Sequence, residues 1–184
     1  MAEPRRGEPA SPGSRSVDGE QESDLHVVLI EPRIAWNAGN AGRTCLALGA
    51  RLHLVGPLGF SVDDRRARRA GLDYWPRVDL AVWSDWDRFA ADGPLRDAPR
   101  AACWWFSGEA ERDLWHADLD AHLPVVLLFG SETEGLPGPL RAEHGDRLVR
   151  LPMRPGSVRA LNLSTAVAVA GYEVERRRRR GRHG

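Results

Sequence analysis

Three stretches of the chain set glycines and polar side chains where a small ligand could be gripped. The first is Glu31-Pro-Arg-Ile-Ala-Trp-Asn37-Ala-Gly39-Asn40-Ala-Gly42-Arg43. Glycines allow close backbone approach, and amides at a helix start attract anions. Arg43 adds a permanently charged fork of donors. Asn37 and Asn40 can equally serve to pin the loop's own backbone. The second stretch is Phe129-Gly130-Ser-Glu132-Thr-Glu134-Gly135-Leu-Pro137. Here Gly130 invites close approach and Glu132 stands where a crevice would be, although a glutamate in such a turn can also be a solvated residue or a helix cap. The third is Leu151-Pro-Met153-Arg-Pro-Gly-Ser157-Val-Arg159-Ala160-Leu161-Asn162-Leu163-Ser164. It is a long loop that opens the last helix, and Ser164 can act there as a simple N-cap. A fourth feature, Arg65-Arg66-Ala-Arg68-Arg69 with Tyr74 and Trp75 close behind, suits phosphate contact combined with base stacking. The same run can be a solvated helix face.

These loops need a scaffold, and the intervening sequence supplies one. Leu25–Ile30, Leu52–Val55, Leu80–Trp83, Ala101–Phe106, Val125–Phe129 and Arg147–Leu151 read as strands, several of them short apolar runs of the buried type. Between them lie helical stretches: Asn37 to Leu48, stopped by Gly49; an Arg-rich segment from Asp63 to Ala70; one containing Trp86 and Phe89, capped by Ser84; and a last helix from about Asn162 towards Arg178. Strands alternating with helices predict an α/β fold, a mostly parallel sheet with helices on both faces. Ligands of such sheets sit beyond the carboxyl ends of the strands, which is where all three loops fall. The boundaries follow: residues 1–23 as a disordered tail, 24–176 as the folded domain, and 177–184 as an Arg-rich C-terminal tail. The run Arg176–Arg182 adds a second basic cluster and favours a polyanionic partner.

Composition narrows the chemistry. The chain has 184 residues, and its 26 basic and 26 acidic side chains balance. Every basic residue is arginine, so a lysine Schiff base and a P-loop lysine are excluded. Two cysteines are too few for a disulfide scaffold or a four-cysteine zinc site. The histidines show no metal-ligand spacing, and no metal is expected. The glycines of the first loop do not match a dinucleotide fingerprint, and no G-x-S-x-G elbow occurs. No run approaches the ~20 apolar residues of a membrane span. The start of the chain lacks a secretory pattern, so no membrane partner and a cytoplasmic location are expected.

Taken together and in order, the three loops resemble the three motifs of the SpoU/TrmH branch of the SPOUT methyltransferases. Arg68-Arg-Ala-Gly-Leu-Asp-Tyr74 is similar to the TrmL-like group, which methylates the ribose 2′-oxygen of cytidine or uridine at the tRNA wobble position. The resemblance implies a C-terminal deep trefoil knot, a rare exception to unknotted chains. It implies S-adenosyl-L-methionine as cofactor, a homodimer, and the tRNA anticodon stem-loop as partner. It implies a cofactor pocket of Trp104, Gly130, Leu151 and Ala160, with Met153 and Leu161 nearby. Arg43 matches the family's catalytic arginine, and Asn37, Glu132, Asn162 and Ser164 match polar positions that organise the site. Arg65, Arg66, Arg68, Arg69 and Tyr74 become the RNA-facing residues. One position departs from the pattern: Ala160 stands where the family usually has serine, and Ser157 is the alternative source of a hydroxyl. On this reading Arg43 orients the ribose-phosphate and stabilises a developing alkoxide, while Glu132 or a water takes the proton, or Glu132 only fixes Asn37 and the loop. Two alternatives stay open: a ribose methyltransferase acting on rRNA or another tRNA site, and a non-catalytic RNA-binding relative.

Overall fold

The computed structural model describes residues 23–62, 73–118, 121 and 124–181. The expected helix over Asp63–Ala70, the cluster Arg65, Arg66, Arg68 and Arg69, and almost all of the expected N-terminal tail lie outside the described residues.

Six strands form one sheet: β1 (Leu25–Ile30), β2 (Arg51–Val55), β3 (Leu80–Trp83), β4 (Cys103–Phe106), β5 (Val125–Phe129) and β6 (Leu148–Val149). The order is β3-β2-β1-β5-β4-β6, and every pairing is parallel. β1 and β5 are buried along their whole length, as continuous apolar runs in a sheet covered on both faces should be. Among the described residues, the four α-helices are α1 (Ala35–Leu48), α2 (Trp86–Asp92), α3 (Gly138–Glu143) and α4 (Leu163–Gly181). Side chains alternate between two cores. Val27, Leu29, Leu52, Leu54, Trp104, Leu127 and Phe129 share one core with α1 and α4. Val28, Ile30, Val55, Trp105, Val126 and Leu128 share the other with Phe89 of α2 and Leu140 of α3. On the first face α1 and α4 approach so closely that a Cβ on Gly171 would lie 2.6 Å from the Leu48 side chain.

The chain winds outward from β1 through β2 to β3, then crosses to the other side for β4, β5 and β6. β5 sits beside β1, so the loops leaving these two neighbours diverge. That topological switch point is where such sheets hold ligands.

Several boundaries differ from the expected ones. α1 begins at Ala35, so Asn37 lies in the first turn of a helix and not in a loop. Gly49 does end it, in the left-handed conformation with φ 65°. Asp85, not Ser84, caps α2: its carboxylate accepts the Arg88 N–H at 2.9 Å, and Ser84 donates to Asp85 instead. β4 starts at Cys103 because Arg100–Ala102 coil into a 3-10 turn. β6 shrinks to two residues, because Arg150 exchanges backbone hydrogen bonds with the 112–114 segment. α4 continues unbroken past residue 176 to Gly181. Its arginines are largely used within the chain: Arg177 donates to Glu173 and to the carbonyls of Leu114 and Ala117, and Arg178 to those of Ala121 and Asp24. Carbonyl binding by arginines in a last helical turn also suits the helix dipole.

Candidate active site

At the carboxyl ends of β1 and β5 the loops are tied together by one carboxylate. Glu132, in the turn after β5, accepts the Arg33 N–H at 2.8 Å, the Ile34 N–H at 3.2 Å and the Asn37 side-chain amide at 2.9 Å. Two of these donors lie just ahead of α1 and the third in its first turn, where free N–H groups favour an anion. Partial burial pushes the Glu132 carboxyl upward, but the hydrogen bonds from Arg33, Asn37, its own N–H and Ile34 outweigh it and hold it below the usual carboxylate range. Glu132 is therefore ionised near neutrality, with its oxygens occupied, and is a poor proton acceptor.

The third loop joins through amides. The Asn162 side-chain N–H donates to Asn37 Oδ1 at 2.8 Å, and Asn162 Oδ1 accepts the Ser164 N–H at 2.9 Å and the Ser164 hydroxyl at 2.7 Å. Asn162 thus caps α4, the role that the sequence had offered to Ser164. Ser164, Asn162, Asn37 and Glu132 form one continuous chain of hydrogen bonds across residues 37 to 164.

The turn that carries Glu132 is built by Gly130. Ser131 and Gly135 exchange two backbone hydrogen bonds, at 3.1 and 2.9 Å. A Cβ on Gly130 would lie 1.9 Å from the Gly135 carbonyl carbon. The close approach expected of Gly130 is thus first of all to its own chain. Gly39 and Gly42 behave similarly inside α1. The Tyr74 hydroxyl donates to the Gly39 carbonyl at 2.9 Å, and a Cβ on Gly42 would lie 2.7 Å from the Trp75 ring. Gly42 thus admits an aromatic side chain of the same protein, and Gly39 offers its carbonyl to another.

Arg43 is exposed, and its guanidinium carbon lies 4.4 Å from the centre of the Tyr74 ring. Tyr74 is buried within the chain, so its placement differs from the RNA-facing one inferred by resemblance. Trp104 is also displaced from its expected place. It is fully buried in mid-strand, Arg147 covers its ring at 5.0 Å, and its indole N–H has no partner among the described residues. The aromatic at the strand end is Phe106, stacked on Phe129 at 4.4 Å. Strand alternation puts Trp104 and Phe106 on the same face, one pleat apart, and that rule could have found it.

Leu151 and Met153 are half-buried, whereas Ala160, Leu161 and Ser157 are exposed. Among the described residues, the only backbone–backbone hydrogen bond within 151–161 runs from the Ser157 N–H to the Arg154 carbonyl, at 3.2 Å. Most amides and carbonyls of this loop are left available for a ligand. A Cβ on Gly108, after β4, would lie 3.9 Å from the Arg159 carbonyl oxygen, so the loop after β4 also comes to this end. No group of three or more His, Cys, Asp or Glu suited to a metal occurs among the described residues. No described helix is long and apolar enough to cross a membrane.

The model of the SpoU rRNA Methylase family matches residues 24–172, a span that contains all three tied loops. The chain belongs to this family. It is 45% identical over 154 residues to a tRNA (cytidine(34)-2'-O)-methyltransferase of Burkholderia ambifaria, covering 83% of this chain and 94% of that one. A protein of the same description from Burkholderia cenocepacia is 46% identical over 154 residues, with the same coverage. A solved structure concerned with 2-OH methylation of C/U34 on tRNA is 44% identical, with a TM-score of 0.70, over 83% of this chain and 89% of that one. The SpoU methyltransferase AviRb of Streptomyces viridochromogenes, solved with AdoMet, is 26% identical, with a TM-score of 0.70, over 86% of this chain and 60% of that one. Within the family span, the tied loops lie together at the carboxyl ends of β1 and β5.

Proposed function

We propose that this protein is a tRNA methyltransferase that uses S-adenosyl-L-methionine to methylate the ribose 2′-oxygen of a wobble cytidine or uridine. The observation that carries the reading is the hydrogen-bonded chain from Ser164 to Glu132, which joins all three motif loops at the switch point, with Arg43 on the helix it anchors. The activity named for the relatives, at 45% identity over most of both chains, supports the substrate.

The residues fit the cofactor. Leu151 and Met153 offer apolar surface, Ala160 and Leu161 stand beside them in sequence on a loop rich in free backbone groups, and Gly130 fixes the adjoining turn. When bound, S-adenosyl-L-methionine supplies an electrophilic methyl group on sulfur. The chain's own residues contribute alignment and charge. Arg43 holds the ribose-phosphate and offsets negative charge growing on the 2′-oxygen. It does not accept the proton, since a guanidinium stays protonated. Glu132 holds the N-terminus of α1 and the Asn37 amide, and the proton leaves to water. Phe106 belongs to the wall of the site, and Trp104 supports it from the core. The arginines at 65, 66, 68 and 69 face the anticodon stem-loop. The protein acts as a cytoplasmic homodimer with its C-terminal segment threaded as a trefoil knot.

Mass mapping of tRNA after incubation with the protein and labelled cofactor tests this. A methyl on the ribose of nucleotide 34 is expected. A methyl elsewhere in tRNA, or only in rRNA, overturns the assigned site, and the absence of any transfer with intact cofactor binding overturns the enzyme reading.

A further inference from the structure

We infer that Tyr74 is a positioning residue for Arg43 and not an RNA contact. This inference deepens the proposed function and rests on the role that it gives Arg43. The geometry has three parts. The Tyr74 hydroxyl is fastened to the Gly39 carbonyl at 2.9 Å, one turn before Arg43 on α1. Its neighbour Trp75 fills the notch that Gly42 leaves, since any Cβ there would lie 2.7 Å from the indole. Both rings are buried, and the face of Tyr74 lies under the Arg43 guanidinium at 4.4 Å, within cation–π range.

The consequence concerns the donors. Among the described residues, the Arg43 guanidinium makes no hydrogen bond or ion pair; the ring is its partner. A carboxylate partner would occupy the N–H edges and weaken the field at the 2′-oxygen. An aromatic face holds the plane of the group and leaves its five donors to the ligand. Gly42 fits this requirement: glycine is unfavourable in a helix interior relative to alanine, and its missing side chain leaves the room that Trp75 occupies.

The test compares Tyr74→Phe with Tyr74→Leu in the full-length protein. Tyr74→Phe keeps the ring face and should retain turnover within about three-fold. Tyr74→Leu removes it and should lower kcat about ten- to a hundred-fold, the range of a misplaced catalytic group. The KM for tRNA and the calorimetric affinity for S-adenosyl-L-methionine should stay within about two-fold in both variants. Equal losses in the two variants overturn the inference, as does a Tyr74→Leu defect confined to the KM for tRNA, which would make the ring an RNA contact. A readout independent of catalysis uses NMR. The Arg43 side-chain protons of the unmodified protein should carry an upfield ring-current shift that persists in Tyr74→Phe and vanishes in Tyr74→Leu. Absence of that shift in the unmodified protein overturns the placement even if Tyr74→Leu fails to fold. If methyl transfer is absent but the shift is present, the proposed function fails and the Arg43–Tyr74 pairing stands.

Discussion

Two polar clusters are built into this sheet, and they are made differently. The crevice cluster carries a charge: Glu132 takes three donors from two neighbouring segments, and the chain continues through Asn37 and Asn162 to Ser164 near solvent. The other cluster lies within the strands. The Trp83 indole donates to His53 Nδ1 at 3.1 Å, and His53 Nε2 lies 3.1 Å from His26 Nδ1. Indole N–H can only donate, so a neutral His53 accepts at Nδ1, carries its own proton on Nε2 and donates a hydrogen bond from there to His26 Nδ1. Burial, then His26 and Arg51, push the His53 imidazole from 6.5 down to about 3. One cluster is ionised and stands at strand ends near solvent, while the other holds an uncharged His53 in the interior. Hydrogen bonding alone therefore does not mark a site; charge at a strand end, beside groups left unbonded, does.

The comparison breaks most severely at Gly130. Alanine there would place its Cβ 1.9 Å from the Gly135 carbonyl carbon, so backbone must move. Gly130→Ala should cost on the order of 4 kcal/mol or more, at the upper end for single substitutions. Gly156, with φ +74° but no neighbour within 4 Å, provides the control. Gly156→Ala pays only for its backbone angle, about 1 kcal/mol. Urea melts of the two variants check this, and similar losses would show that the turn at 130–136 is no more tightly built than the open loop. Next in size is Glu132→Gln. An amide group cannot accept at both positions, so at least one of the three donors loses its partner, at about 1–3 kcal/mol. Methyl transfer should fall more than stability does, because Asn37 and the start of α1 shift together. Unchanged turnover in a destabilised Glu132→Gln would separate the carboxylate from the site.

The sealed cluster is tested by pH. Folded His53 binds a proton only near pH 3, whereas the unfolded residue binds one at 6.5. Between these values the unfolded state holds more protons, so stability falls as pH drops below 6.5, by up to about 1.4 kcal/mol per unit. Burial also lowers His144, against the pull of Glu143, so His144 adds a smaller slope of the same sign. The carboxylates held low, Glu132 and Glu173 among them, enter only as the pH approaches the carboxylate range. Melts between pH 7.5 and 5 thus isolate the imidazoles. His53→Asn should flatten most of the slope; an unaltered slope would place the titration elsewhere.

How much of this was legible in the sequence depended on range. Strand runs such as Leu25–Ile30 and Val125–Phe129 announced themselves because a parallel sheet buries both faces. The four polar members of the crevice were legible because their motifs sit just after strands. The role of Tyr74 was not, because its partner Gly39 is 35 residues away and arginine beside aromatics suggests RNA equally well. The partners of the α4 arginines were hidden for the same reason. Charge density is visible in sequence, but the carbonyls at Leu114, Ala117 and Ala121 that accept from Arg177 and Arg178 are not.

The finest test of the crevice is at Asn162, because two of its functions can be separated. Its oxygen caps α4 and its amide donates to Asn37. Asn162→Ala removes both and should cost about 1 kcal/mol, as a lost N-cap does. Asn162→Asp keeps the cap, and its charge suits a helix N-terminus, so stability should remain within about 0.5 kcal/mol of the parent. Yet aspartate cannot donate. The two carboxylates would lie at opposite ends of the Asn37 amide, NH2 at one and carbonyl at the other, so only one of them could accept from it. Thermal melts should therefore rank the aspartate variant with the parent, and methyl-transfer assays should rank it with alanine. If the aspartate variant instead keeps both stability and turnover, the link from Asn162 to Asn37 has no part in the chemistry, and the third loop is held by its helix cap alone.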